Sequence, residues 1–286
     1  MADSPHTAGA GGLGVRLEGR GVGFRVGRFS LVAGVNLGVG PGELVAIVGA
    51  NGAGKSTLIR LLAGDLRPTE GEVLLDGRPL RSYDAGTLAR LRSVLPQQSR
   101  IEFAFTVRQV VEMGRSPYRS SRRDPAGEDR VVEGAMRAAD VAALAERAYP
   151  GLSGGEQSRT CLARVLAQDT PVMLLDEPTA ALDIRHQHQV LGVVRGLAEA
   201  GKAVVAVLHD LNLAAAYATR VVAMHRGMVA AEGAPEEVLT SGVLSRIYEH
   251  PVEVVRAGSP ERIVVLPRHE LPGRTEGPTA ERCGTG

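Results

Sequence analysis

The octapeptide GANGAGKS, Gly49 to Ser56, constrains the fold more than any other stretch of this chain. The continuously apolar run ELVAIV precedes it, and the run KSTLIRLLAGD, which has helical spacing and closes at Gly64, follows it. We therefore predict a strand, a glycine loop and a helix in succession. In that context, the spacing G-x-x-x-x-G-K-S indicates a loop whose backbone N–H groups surround phosphates.

Each residue of this loop has an expected role in binding a nucleotide. Lys55 would reach the β- and γ-phosphates, and Ser56 would ligate Mg²⁺. Lys55 and Lys202 are the only lysines among 33 basic residues, so a chance lysine in a glycine-rich turn explains the motif poorly. The predicted ATP-binding residues of this loop are Gly49, Ala50, Asn51, Gly52, Ala53, Gly54, Lys55, Ser56 and Thr57.

A second motif, VMLLDEP, ends an apolar strand in two adjacent carboxylates, Asp176 and Glu177. Such a pair at the end of a buried strand repels unless a cation or separate roles relieve it. We predict that Asp176 holds Mg²⁺ together with Ser56, and that Glu177 polarises the attacking water. Ordinary solvation of a strand end is the alternative interpretation.

Polar groups also close two further predicted strands, where ligands of α/β sheets collect. Gln97 ends SVLPQ and His209 ends AVVAVLH. We assign both to the catalytic site and Gln97 to the metal as well. A histidine at such a position is often only structural, but its strand is expected to lie beside the strand that precedes Lys55.

The stretch LSGGEQ predicts the start of another helix, with Ser153 as N-cap and Glu156 completing a capping box. Gly154 and Gly155 are poor helix formers, each costing about 0.5–1 kcal/mol relative to alanine. Their missing side chains would let a phosphate approach bare N–H groups at a helix N-terminus. The sequence therefore predicts an anion site in this chain that its own phosphate loop does not explain.

Strands and helices alternate over most of the chain, which predicts an α/β fold with a mainly parallel sheet. Antiparallel strands are expected at residues 15–39, and a helical lobe is expected at about 106–165, with a polar interruption at 115–130. We place one domain at 15–267 and disordered tails at 1–14 and 268–286, which are rich in Gly, Pro and charge.

Composition excludes several classes of protein. The net charge of +1 does not favour nucleic acid as a partner, and the short basic run Arg122–Arg123 is expected to be a solvated loop. Cys161 and Cys283 form neither a disulfide framework nor a metal-binding spacing. No stretch approaches the roughly eighteen apolar residues of a membrane span, so we expect a chain that does not cross a membrane.

In order, these motifs and the stretch AALD at 180–183 resemble the nucleotide-binding subunits of ABC transporters over roughly residues 15–265. The resemblance implies a P-loop ABC ATPase core that couples ATP hydrolysis to transport. It implies that Phe24 stacks on adenine, that Gln97 links the γ-phosphate to a membrane partner, and that Asp183 lies at a dimer seam. It also implies that the signature residues of one copy, Ser153, Gly154, Gly155, Glu156 and Gln157, close over the ATP of a second copy.

A single cassette with no added module is typical of a motor that docks on separate membrane subunits. An ABC ATPase of DNA repair would need a coiled coil or zinc module, and a translation factor of this type would need two cassettes. The expected partners are a second copy, a transmembrane permease and an extracytoplasmic substrate-binding protein, with the chain peripheral at the cytoplasmic face of the membrane.

Stretches such as YPGLSGGEQ and ALDIRHQHQVL look closest to the hemin import ATP-binding proteins. The resemblance implies heme as cargo, with a ferric siderophore or cobalamin as the alternative and a non-transport ABC ATPase as the alternative of another class. His186 and His188 lie two residues apart on a predicted helix and point to different faces, so they are not expected to bind heme or metal together.

Overall fold

The computed structural model describes residues 16–97, 103–121, 124–259 and 261–268. The strands within these ranges are β1 (Leu17–Val26), β2 (Phe29–Val39), β3 (Leu44–Val48), β4 (Glu70–Leu75), β5 (Arg78–Pro79), β6 (Arg92–Leu95), β7 (Val172–Asp176), β8 (Ala203–Val207), β9 (Arg220–His225), β10 (Met228–Gly233), β11 (Val252–Ala257) and β12 (Arg262–Pro267). The α-helices are α1 (Lys55–Ala63), α2 (Ala85–Leu91), α3 (Val107–Glu112), α4 (Pro125–Ala138), α5 (Gly154–Gln168), α6 (Ile184–Glu199), α7 (Leu211–Tyr217), α8 (Pro235–Val238) and α9 (Ser241–Tyr248).

The central sheet has the strand order β10-β9-β3-β8-β7-β6 and is parallel except for the edge strand β10. Every residue of β3, β7 and β8 is buried, as expected for strands covered on both faces. Because β8 lies between β3 and β7, the carboxyl ends of these three strands meet at one edge. The α/β prediction is confirmed, including the expected pairing of the His209 strand with the strand before Lys55.

An antiparallel sheet of order β2-β1-β4-β5 covers the central sheet, which confirms the predicted antiparallel region at the front of the chain. Successive side chains of β3 point to opposite faces of the central sheet, so this strand contributes to the hydrophobic core on each face. Val45 and Ile47 belong to the core that also contains α1 and the antiparallel sheet, whereas Ala46 and Val48 belong to the core beneath α6 and the helical lobe.

The helical lobe comprises α3, a 3₁₀ helix at Met113–Ser121, α4 and α5. The polar interruption predicted at 115–130 is wrong in its second half, because α4 begins with Pro125 at its N-terminus, where a missing N–H costs little. The predicted end at 165 is also early, since α5 continues to Gln168. Arg115 is buried and joins the parts of the lobe through two hydrogen bonds of 2.8 Å to Glu128 and one of 2.9 Å to the Ala167 carbonyl.

The hairpin of β11 and β12 follows α9 and is anchored on α7. The backbone N–H of Val265 donates to Asn212 Oδ1 at 2.8 Å, and the Asn212 amide donates to the Val265 carbonyl at 3.4 Å. β12 ends at Pro267. The predicted tail at 1–14 lies outside the described residues, as do the Arg122–Arg123 run and all of the predicted tail at 268–286 except Arg268. In the described ranges, no helix is both long enough and apolar enough to cross a bilayer.

Candidate functional site

The glycine loop at 49–54 joins β3 to α1, as predicted, and tertiary contacts explain two of its glycines. A Cβ on Gly49 would lie 2.3 Å from the Met224 carbonyl oxygen, and one on Gly54 would lie 2.5 Å from the Leu31 carbonyl oxygen. Gly54 also has a φ of +96°, which L residues rarely adopt. The loop is therefore held between β2 and β9 with its backbone in a conformation that only glycine tolerates.

Lys55, the first residue of α1, is buried at the base of this loop. Its ammonium group donates to the main-chain carbonyls of Gly49 at 2.8 Å and Ala50 at 2.9 Å. Burial lowers the pKa of Lys55, and the carboxylates of Glu177 and Asp176 oppose that shift. A positive charge is thus held between the glycine loop and the strand-end carboxylates.

Asp176, the last residue of β7, contacts the glycine-loop segment directly. The Ser56 hydroxyl donates to Asp176 Oδ1 at 3.1 Å across 120 residues of sequence. Burial raises the pKa of Asp176, and the Ser56 hydrogen bond opposes that effect. A hydroxyl and a carboxylate brought together next to the glycine loop form the kind of oxygen donor set that Mg²⁺ prefers.

Glu177 contacts His209, which lies two residues beyond the end of β8. His209 Nε2 lies 2.6 Å from Glu177 Oε1, and the Glu177 side chain is 12% exposed against 47% for His209. Glu177 has a φ of +56°, a left-handed conformation that costs a non-glycine residue about 1 kcal/mol or more. This backbone turn separates the two carboxylates so that each can have a different partner.

Gln97 and the start of α5 border the same cavity as the two carboxylates. The cavity has a volume of about 320 Å³, and Gln97, Gly154, Gln157, Asp176 and Glu177 are among its lining residues. The structure therefore brings together the predicted residues of three strand ends, β6, β7 and β8, with the glycine loop. Of the segment QQSRIEFAF at 97–105, residues 98–102 lie outside the described ranges.

Ser153 forms the predicted capping box at the start of α5. Its N–H donates to Glu156 Oε2 at 2.8 Å, and the Glu156 N–H donates to Ser153 Oγ at 3.4 Å. Hydrogen bonding of the Glu156 carboxylate to the backbone N–H and then to the side chain of Ser153 holds the pKa of Glu156 below its ordinary value. Gln157 adds an anchor, since its amide donates to the carbonyls of Tyr149 at 3.3 Å and Leu152 at 3.4 Å.

The two glycines of this motif, Gly154 and Gly155, have different surroundings. A Cβ on Gly154 would meet open space, as expected for a helix end that a ligand approaches. A Cβ on Gly155 would lie 3.3 Å from the carbonyl oxygen of Ala181 in the same chain. A side chain at Gly155 would therefore be crowded by Ala181, which is a packing reason for glycine that the sequence interpretation did not include.

Asp183 caps α6 by accepting a hydrogen bond of 2.9 Å from the His186 N–H. Its side chain is 66% exposed. His186 and His188 have different neighbours, as predicted: the first contacts Asp183, and the second contacts Tyr217. The described part of the chain contains no group of three or more His, Cys, Asp or Glu side chains arranged to hold a metal ion.

Phe24 is partly buried and packs against the core beneath the antiparallel sheet. The neighbouring turn instead exposes Phe29, whose ring is 62% exposed and lies 5.2 Å beneath the Arg28 guanidinium carbon. Sequence reasoning missed Phe29. The short turn through Gly27 and Arg28, which pairs Val26 with Phe29, is the signal that could have found it.

A glycine loop between a strand and a helix, with a buried lysine and a strand-end aspartate bound to the loop's serine, defines a P-loop nucleotide-binding protein. A family model described as ABC transporter matches residues 32–180. The chain belongs to the ABC transporter family of ATP-binding proteins, whose general activity is ATP hydrolysis.

Relatives and solved structures agree with this assignment. The chain is 56% identical over 222 residues to the hemin import ATP-binding protein HmuV of Nocardia farcinica, covering 77% of this chain and 76% of the relative. It is 49% identical over 265 residues to the protein of the same name from Streptomyces coelicolor, covering 93% and 91%. An inward-facing metal-chelate type ABC transporter superposes with a TM-score of 0.76 at 28% identity, covering 90% of this chain and 98% of that chain. A dimeric bacterial ABC transporter cassette superposes with a TM-score of 0.69 at 28% identity, covering 77% and 98%.

Proposed function

We propose that this chain is the ATP-hydrolysing motor of a bacterial importer for heme. The observation that supports heme as the cargo is the name shared by the two relatives above. They are 49–56% identical to this chain over most of its length. No group in the described site would select a cargo, because its chemistry is directed at a nucleotide. The substrate would pass through partner subunits instead.

The glycine loop and Lys55 would bind the phosphates of ATP, and Ser56, Asp176 and Gln97 would hold Mg²⁺. The 3.1 Å contact between Ser56 and the buried Asp176 supports this, since both are oxygen donors of the type that Mg²⁺ prefers. When bound, the ion would neutralise charge on the phosphate oxygens. Thr57 and the remaining loop residues would contribute the surrounding helix N-terminus.

Glu177 would accept the proton of the attacking water, and His209 would orient the Glu177 carboxylate. A base must reach its proton within hydrogen-bonding distance, and the 2.6 Å contact between His209 Nε2 and Glu177 Oε1 holds the carboxylate in one place. The strained turn at Glu177 supports this role, since strain is commonly retained at functional positions.

A second copy of the chain would complete the site. The open space beside Gly154 and the exposed side chain of Asp183 suit contact with another molecule, and a related cassette of known structure is dimeric. In this arrangement Ser153 to Gln157 of one copy close over the ATP of the other. Asp183 then lies at the seam.

For the adenine base, Phe24 and Phe29 are two candidates. Phe24 is the residue expected from the family resemblance, but its ring packs partly against the core. Phe29 is more accessible and lies on the same hairpin as Leu31, whose carbonyl oxygen touches the glycine loop at Gly54. Nucleotide titrations of Phe24→Ala and Phe29→Ala would show which ring contacts the base.

The membrane partners would be a permease and, through it, an extracytoplasmic substrate-binding protein, with this chain at the cytoplasmic face of the membrane. Phe103 supports a docking surface beyond Gln97, because its ring is 74% exposed. Phe105, two residues further on, instead packs against the core.

Growth of a deletion strain tests the cargo. Loss of growth on heme as sole iron source, with normal growth on ferric siderophores, would support heme import. The similarity to a metal-chelate type transporter favours a siderophore or cobalamin as the second candidate. Normal growth on heme with loss on one of those chelates would contradict heme as cargo while leaving the importer ATPase intact.

A further inference from the structure

The proposed function leaves the RHQHQ stretch at 185–189 without a role. In the structure, the His186 ring lies between two carboxylates on different parts of the molecule. Its Nδ1 is 2.7 Å from Asp183 Oδ1, and its Nε2 is 3.6 Å from Asp140 Oδ2. Asp183 begins α6, and Asp140 follows α4 in a turn of the helical lobe, where its φ is +55°.

Hydrogen-bond chemistry assigns the proton on this ring. Asp183 Oδ1 accepts from both the backbone N–H and the ring of His186. These two bonds hold the pKa of Asp183 below its ordinary value, so the carboxylate is ionised and can only accept. Nδ1 of His186 must therefore carry a hydrogen and act as the donor.

Burial makes this contact more than an exposed ion pair. The His186 side chain is 17% exposed, whereas the Asp183 side chain that it binds is 66% exposed. A covered ring thus holds a carboxylate that is itself open to a partner. Two other charges lie near: Arg159 on α5 also lowers the pKa of Asp183, and Arg185 is 3.9 Å from Asp140.

We propose that His186 is a positioning residue for ATP hydrolysis. It fixes the Asp183 carboxylate in the orientation that a second copy of this chain meets, and the Nε2 edge of its ring faces Asp140 of the helical lobe. The inference rests on the proposed place of Asp183 at the dimer seam. Since His186 contacts neither the glycine loop nor Lys55, its loss acts on kcat and leaves the KM for ATP unchanged.

His188 offers a matched control on the same helix. Its Nδ1 lies 2.8 Å from the Tyr217 hydroxyl, and its ring contacts the Tyr217 ring at 5.7 Å. Replacing His188 therefore removes a histidine hydrogen bond of similar length that faces α7. A general effect of losing a histidine from α6 would appear equally in both variants.

The experiment measures steady-state ATPase kinetics and Tm for the full-length chain and for His186→Leu, His186→Asn, His186→Gln, His188→Leu and Asp183→Ala. The asparagine amide can replace the Nδ1 donor, whereas the glutamine amide reaches the Nε2 position instead. We expect kcat to fall about fivefold in the leucine and glutamine variants, the net size of one lost hydrogen bond at a solvent-exposed acceptor. The asparagine variant and His188→Leu should keep kcat within about twofold of wild type.

Each other result overturns a defined part of the proposal. Equal losses in His186→Leu and His188→Leu, or a folded His186→Asn variant that is as slow as His186→Gln, would refute positioning through Nδ1. A rise in KM instead of a fall in kcat would also refute it. Reduced activity of Asp183→Ala with normal His186 variants would overturn only this inference, whereas a normal Asp183→Ala variant would contradict the proposed seam. If His186→Leu does not fold, the comparison of asparagine with glutamine decides.

Discussion

Ser153 provides the sharpest test of how two copies of this chain share a site. It caps α5 through the reciprocal hydrogen bonds with Glu156, at 2.8 and 3.4 Å. Replacing it by alanine or by arginine removes the Oγ acceptor in both cases. The two variants should therefore lose similar stability, about 1 kcal/mol for a helix N-cap, which lowers Tm by about 2–4 °C in a domain of this size.

The variants should differ in activity. Arginine places a long side chain beside Gly154, where the structure has open space for an approaching anion, whereas alanine does not. We expect ATPase activity of Ser153→Arg to lie at least about tenfold below that of Ser153→Ala, a barrier difference of about 1.4 kcal/mol. Equal activity at equal Tm would refute a ligand at this helix end.

Mixing tests whether the ligand belongs to the second copy. We expect Lys55→Ala and Ser153→Arg each to have little activity alone, but a mixed dimer has one composite site with both residues intact. Random exchange at equal amounts makes about half of the dimers mixed, so about a quarter of wild-type activity should return if the sites work independently. No recovery at any ratio would refute independent sites shared between two copies.

Three further predictions follow from single residues. Glu177→Gln should lower kcat by about 10²–10⁴ while ATP binding remains, because glutamine cannot accept a proton. The variant should accumulate as an ATP-dependent dimer on a sizing column, and wild-type turnover would show that Glu177 is not the base. Phe103→Asp should uncouple transport while basal ATPase and Tm stay normal, whereas Phe105→Asp should unfold the domain because that ring packs against the core; normal transport with Phe103→Asp would contradict docking there. Because the folded-state pKa of Glu156 lies below its ordinary value of 4.5, its contribution to stability is present above that pH and is lost as the pH falls through the lower folded value. Urea unfolding should therefore show a smaller loss of stability in acid for Glu156→Gln than for wild type, and identical pH profiles would contradict this.

Much of the site could be predicted because its parts are continuous in sequence. The glycine loop needs only a strand before it and a helix after it, and Lys55 and Ser56 follow from their spacing within it. Capping at Ser153 and Glu156 is equally local, since a capping box spans four residues. Gly155 shows the limit of such reasoning, because the carbonyl that would crowd a side chain there belongs to Ala181.

Other features depended on contacts between distant residues. The family resemblance pointed only to Phe24 for stacking on a base, and only the folded hairpin shows that this ring packs partly against the core while Phe29 is exposed. In the sequence, nothing distinguishes His186 from His188. The fold brings Asp140, which is 46 residues earlier in the chain, close to the second ring nitrogen of His186.

The sequence by itself determined the phosphate loop, the helix caps and the alternation that makes a parallel sheet, because each follows from hydrogen bonding and side-chain periodicity among near neighbours. The strand before His209 could be placed beside the strand before Lys55 from the sequence, but only the tertiary structure decided that β7 lies on the other side of β8. The order β3-β8-β7 brings Asp176 to Ser56 and Glu177 to His209. That order arises from burying both faces of three apolar strands in one sheet, and burial depends on the whole fold rather than on any one segment.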